Sequence, residues 1–181
     1  MLGGRHARAN VEVHDVVLAV GDSLEEVYPQ LKNAWFGEQQ GLHIDAWQKL
    51  QALVFENKKY QIHFTDAQPN ASDQKLWLIN LGGYDVNEFG ELHRYILIVA
   101  QDAIEAKAKG KQHFAGHWQK PHTDRVLEVD DCMAVERYFH RIFAERKIAG
   151  EWFRLSEEDI ALFQNYEEVS GNNDNARPTP L

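Results

Sequence analysis

The sequence predicts an α+β fold built from two copies of one small β-β-α-β-β unit related by a pseudo-twofold. Three observations carry this expectation. A shift of 79 positions lays the first half of the chain on the second without a gap. Apolar alternation of strand type brackets the polar segments of each copy. A helix-start signal falls at the same place in both copies, Ser23-Leu24-Glu25-Glu26 and Asp102-Ala103-Ile104-Glu105. The shift matches Leu2, Gly3, Gly4, Glu12, His14, Leu18, Val20, Glu26, Lys32, Gly37, Gln40, His43 and Asp45 with identical residues, 13 identities in the 44 pairs from Leu2/Leu81 to Asp45/Asp124. Average composition gives about two or three.

Taken in order, Val11 to Val20 reads as a strand, with Val11, Val13, Val17 and Ala19 on one face. Glu12, His14, Val16, Leu18 and Val20 occupy the other. Its end is apolar on both faces, as in a central strand. Ser23 then caps a helix, Glu26 reaches back as in a capping box, and Leu24, Val27, Leu31, Ala34 and Trp35 form its apolar stripe. Pro29 should kink or tighten that helix and Gly37 should stop it. Leu42 to Leu50 reads as a second strand, with Leu42, Ile44 and Ala46 opposite His43, Asp45 and Trp47. Leu53 to Phe55 and Tyr60 to Phe64 flank the polar turn Glu56 to Lys59 as a hairpin.

In the second copy Gln74 to Asn80 supplies a strand before Leu81-Gly82-Gly83, Glu91 to Val99 a second strand, and Asp102 a helix that Gly110 should weaken early. Cys132 to Glu145 fits helix or strand equally. Ser156 should start a terminal helix, and the polar stretch after Ser170 should be a disordered tail. The expected organisation is a first repeat over 1–66, a linker over 67–73, a second repeat over 74–145, an extension over 146–169 and a tail over 170–181. Only Met1 precedes the first Leu-Gly-Gly, so the first copy is expected to lack its opening strand, and its open edge to favour self-association.

Composition narrows the function classes. The chain has 181 residues, 44% hydrophobic, with a formal net charge of −9. That balance disfavours nucleic acid or an anionic membrane as partner, since both need a net basic face. One cysteine, Cys132, excludes a disulfide framework and a cysteine-rich zinc site. Its neighbours Asp130 and Asp131 should raise its pKa and quench reactivity. No apolar run reaches the ~18–20 residues of a membrane span and no secretory leader is evident, so a cytoplasmic location is expected.

The chemistry-bearing feature is a repeated pair of short motifs. Glu12-x-His14 and His43-x-Asp45 recur as Glu91-x-His93 and His122-x-Asp124. In a strand, positions i and i+2 share a face ~6.5–7 Å apart. If the two strands of a copy were neighbours, ~4.8 Å apart, their four side chains would form a small polar square. Such a square could be a satisfied structural network. It could instead hold a divalent metal or other ligand, or a catalytic water with each histidine oriented by a carboxylate. The Leu-Gly-Gly glycines read as positions of a tight turn or of close backbone packing.

The residues Leu2-Gly3-Gly4, Asn10 to Asp15, Tyr28 to Leu31, Trp35 to Gly37 and Leu42 to Trp47 together resemble the bacterial domain-of-unknown-function family 1543. The second half, through Asn80 to Tyr84, Phe89-x-Glu91-x-His93 and His122-x-Asp124, resembles a second copy of that domain. The resemblance implies one or two domains per chain and implies no activity. The expected function is therefore a small-ligand-binding or interaction protein. The alternative is a metal-dependent or acid–base hydrolytic enzyme built on the same eight residues.

Overall fold

The computed structural model of the chain describes residues 1–68, 70–85, 87–114, 127–135, 152–158, 169–172 and 179–180. In chain order these form β1 (Leu2–Gly4), β2 (Val13–Asp15), α1 (Leu24–Ala34), β3 (His43–Ile44), β4 (Ala46–Lys49), β5 (Ala52–Phe55), β6 (Lys58–Thr65) and β7 (Lys75–Gly83). There follow β8 (Leu92–Ala100), α2 (Ala103–Phe114), β9 (Leu127–Ala134), β10 (Trp152–Glu158), β11 (Val169–Asn172) and β12 (Thr179–Pro180). Among the described residues, small antiparallel sheets with two helices make this an α+β protein. The chain divides into two compact units, Met1–Gln51 with Gln164–Leu181, and Ala52–Phe163.

In the first unit a four-stranded sheet has the order β12-β3-β1-β2, so β1 is central. Leu2 pairs with Asp15 and Ile44, and Gly3 pairs with His14 and His43. Alternation along β1 sends Leu2 and Gly4 to one face and Gly3 to the other. Leu2 joins Val27, Leu31, Trp35, Leu42 and Ile44 in a buried core under α1. Gly4 belongs to this packing, because a Cβ there would stand 3.0 Å from the Trp35 ring. Each fully buried Leu or Ile contributes ~1.5–3 kcal/mol through water exclusion.

Helix α1 begins as its cap signal predicts. Glu26 N–H donates to Ser23 Oγ at 3.3 Å, while the Glu26 carboxylate accepts from Asp22 N–H at 3.0 Å, one residue before the usual capping-box partner. The helix continues through Pro29 and ends at Trp35, whose backbone is extended. Gly37 is not its stop. A Cβ on Gly37 would fall 2.3 Å from the Arg5 carbonyl, to which Glu38 N–H donates.

Several strand expectations change. Val16 to Val20 is irregular, and β2 is only as long as the three-residue strand it pairs with. The backbone of Val20 is held instead by the buried Gln30 side chain, which accepts from its N–H at 3.1 Å and donates to its C=O at 2.6 Å. The expected strand from Leu42 to Leu50 breaks at Asp45, where Asp45 N–H donates to the Met1 carbonyl, and β4 leaves to pair with β11. Residues expected to form a disordered tail therefore supply β11 and β12, paired with β4 and β3.

In the second unit, β5 and β6 form the expected hairpin. Its turn is only Glu56 and Asn57, both at positive φ (49° and 63°), the two-residue form that matches strand twist. This hairpin groups with the second unit rather than with a first repeat ending at residue 66. Strand β10 pairs along β6, so Ser156 to Glu158 are strand where a helix start was expected. A second sheet, β8-β7-β9, buries Leu76, Ile79, Leu81, Ile98 and Val99. Strand β9 settles Cys132 as strand, with a register shift between Asn80 and Leu81. Helix α2 runs past Gly110, which is buried and lets the helix approach Ile79, its nearest atom 3.4 Å from where a Cβ would stand.

The α2 cap mirrors that of α1. Asp102 accepts from Ile104 and Glu105 N–H at 2.9 Å, and Glu105 accepts from Gln101 N–H at 2.8 Å. Lys109 donates to the Val99 carbonyl, the position 79 residues after the Gln30–Val20 contact. Lys109 also pairs with Glu105 and Glu56 and lies over the Phe55 ring. Burial opposes its charge, but the two carboxylates outweigh it and hold the ammonium above its ordinary pKa.

Asp102→Ala should cost ~1 kcal/mol in chemical denaturation, the usual loss at an N-cap. The Gln101 N–H, followed by Lys109, holds the Glu105 carboxyl below its ordinary range. Its contribution is thus present above the usual glutamate pKa of ~4.3 and lost as pH falls through the lower folded value. A Glu105→Gln variant should show a shallower acid-side loss of stability in the same titration.

Candidate functional site

On the face of β1 away from the core, four polar side chains meet. Cross-strand register places His14 of β2 and His43 of β3 on either side of Gly3. Glu12 lies in the segment just before β2, and Asp45 at the bend just after β3. His43 Nε2 stands 3.1 Å from Glu12 Oε1 and 3.2 Å from Asp45 Oδ1. His14 Nε2 stands 3.5 Å from Asp45 Oδ2 and 3.9 Å from Glu12 Oε2. The His43 side chain is 13% exposed, whereas those of His14 and Glu12 are 46% and 48% exposed. The cluster thus has a covered floor and an open rim.

The expected adjacency of the two motif-bearing strands does not hold, since β1 lies between β2 and β3. Two interstrand steps, ~9.6 Å, would keep most side chains apart. The square closes because the intervening residue is Gly3. A Cβ on Gly3 would fall 2.5 Å from Asp45 Oδ2, 2.7 Å from His43 Nε2 and 3.2 Å from His14 Cδ2. Sequence reasoning missed this role for Gly3, which sits in a strand and not in a turn. The repeat of Leu-Gly-Gly beside both motif pairs was the available signal.

The electrostatics follow from one hydrogen bond. His43 Nδ1 lies 2.8 Å from the Gly41 carbonyl, which can only accept, so Nδ1 carries the hydrogen. In the neutral ring, the Nε2 lone pair then faces two carboxylate oxygens. Asp45 Oδ2 is buried and, among the described residues, accepts no hydrogen bond. The cluster gathers two carboxylates against two imidazoles, and a positive charge between its members, a proton or another cation, would offset the carboxylates. Among the described residues, no three or more His, Cys, Asp or Glu side chains stand already arranged to hold a metal ion. The donors here are closed on one another.

Of the second set, His93 pairs with Gly82 in the register in which His14 pairs with Gly3, and Glu91 lies just before β8. The third strand places Glu128 opposite Gly82. His122 and Asp124 lie outside the described residues. Cys132 has its thiol pushed up by burial first, with Lys107 opposing. The direction is the expected one, with burial as its first cause.

The fold and the cluster define a small α+β protein with a His–carboxylate group on the outer face of a glycine-floored sheet. Residues 9–64 match the family model described as Domain of Unknown Function (DUF1543). The chain is also similar to the crystal structure of a protein Il1583 from Idiomarina loihiensis. The two share 26% identity and a TM-score of 0.57, over 87% of this chain and 82% of that one. No curated protein matches the chain. No described helix is long and apolar enough to cross a membrane.

Gly3→Ala should displace Asp45 and His43 and destabilise the protein by ~1–3 kcal/mol, as overpacking does. Urea denaturation measures it.

Proposed function

We propose that the protein is a small-ligand-binding module and that the Glu12, His14, His43 and Asp45 cluster takes a cation. One observation carries this reading. His43 commits Nδ1 to the Gly41 carbonyl and turns Nε2 toward two carboxylates. A purely structural network would be expected to satisfy its buried members, yet among the described residues Asp45 Oδ2 accepts no hydrogen bond and meets only His14 Nε2, at 3.5 Å. The half-exposed rim at Glu12 and His14 gives access from solvent.

The reading includes a tandem duplication, with a second cluster at Glu91, His93, His122 and Asp124. Three things support it: the shared register at Gly3/His14 and Gly82/His93, the matching helix caps, and the Gln30 and Lys109 contacts to Val20 and Val99. Each relates positions 79 residues apart.

Calorimetric titration of the full chain with two classes of probe tests the function. Methylammonium and methylguanidinium represent organic cations, and Zn²⁺, Mn²⁺ and Ca²⁺ represent metal ions. Saturable binding of at least one probe, weakened at least about tenfold in Asp45→Asn while the variant stays folded, supports the reading. Absence of binding by every probe overturns it.

A further inference from the structure

We infer that the cation taken by the first unit's cluster is a divalent transition metal ion held by mixed nitrogen and oxygen donors. This deepens the reading above and rests on it. Three observations select the ion. The first is access. Asp45 Oδ2 is buried, and His43 is nearly so, beneath the half-exposed Glu12 and His14. A monatomic ion needs less displacement of that rim than an ammonium or guanidinium head.

The second is donor chemistry. Imidazole nitrogen with carboxylate oxygen suits Zn²⁺ and its first-row neighbours. Mg²⁺ and Ca²⁺ prefer all-oxygen shells. The group contains no thiolate, so a soft cation has no special partner. The third is the orientation of His43. A metal-ligating histidine characteristically gives its other ring N–H to a carbonyl or carboxylate, which fixes the free nitrogen toward the metal. The Nδ1 contact to Gly41 O at 2.8 Å does this for Nε2.

The spacing agrees. His43 Nε2 is 3.1 Å from Glu12 Oε1 and 3.2 Å from Asp45 Oδ1. Two ligands at ~2.0–2.2 Å from a zinc-like ion lie ~3.0–3.5 Å apart at octahedral or tetrahedral angles. The donors are closed on one another and no ready metal-holding group stands among the described residues. Entry of the ion therefore requires the closed contacts to open. Glu12 and His14 are the side chains with the exposure to move. His43, Asp45 and Glu12 form the ligand set, and His14 completes it or orients Asp45. Gly3 supplies the room, because a Cβ there would stand 2.7 Å from His43 Nε2.

The test titrates chelator-treated full-length protein with Zn²⁺, Co²⁺, Mg²⁺ and Ca²⁺, and records the visible absorption of the Co²⁺ form. The expected result is Zn²⁺ binding at least about tenfold tighter than Mg²⁺ or Ca²⁺. A Co²⁺ band of nitrogen–oxygen coordination should appear, and one equivalent should be lost in His43→Ala. If His43→Ala fails to fold, the surface changes Glu12→Gln and His14→Asn replace it, and each should weaken Zn²⁺ by about 10- to 100-fold. Equal binding of Ca²⁺ or Mg²⁺, or Zn²⁺ binding indifferent to these variants, overturns the inference. Binding of methylammonium or methylguanidinium without Zn²⁺ overturns it while leaving the cation-binding reading intact. Failure of every probe removes both.

Discussion

At Gly3 the central strand of the first unit has no side chain between the two histidines that flank it, and that gap lets residues from non-adjacent strands touch. Strand alternation does the rest. Leu2 and Gly4 turn to the core, where Leu2 is buried and Gly4 accommodates Trp35. Gly3 turns outward, and the cluster closes over it. A three-residue strand thus serves both faces of the sheet, one through packing and the other through absence of bulk.

The same unit shows how local hydrogen bonds override strand propensity. Val16 to Val20 has the apolar composition of a strand, but the sheet offers it no pairing partner and Gln30 takes the backbone of Val20. In the second unit β7 spans Lys75–Gly83, and β8 pairs along its whole length. There Lys109 holds the Val99 carbonyl and uses its charge for Glu105 and Glu56 as well. The two contacts occupy equivalent places in the proposed repeat and satisfy the carbonyl of the residue at the same step, one with an amide and the other with an ammonium.

Much of the local architecture was legible from spacing alone. Ser23 and Asp102 announced both helices because a cap is a short-range hydrogen bond between residues three apart. The hairpin at Glu56 and Asn57 was legible for the same reason. Less legible were elements whose state depends on distant partners. Ser156 to Glu158 carry a helix-start pattern, yet β6 recruits them as strand. Gly110 reads as a helix breaker, yet α2 runs through it and packs it, buried, near Ile79.

Short-range pattern is enough to place the caps, the apolar stripe of α1, the repeated motif pairs and the candidate residues Glu12, His14, His43 and Asp45. These depend on neighbours a few positions apart or on identities that a shift exposes. Only the tertiary structure decided that β1 separates the motif strands and that Gly3 nonetheless joins them. Likewise, it alone showed His43 turning one nitrogen to a carbonyl and the other to two carboxylates. Strand order and hydrogen-bond direction are set by contacts between residues tens of positions apart, and no local pattern encodes them.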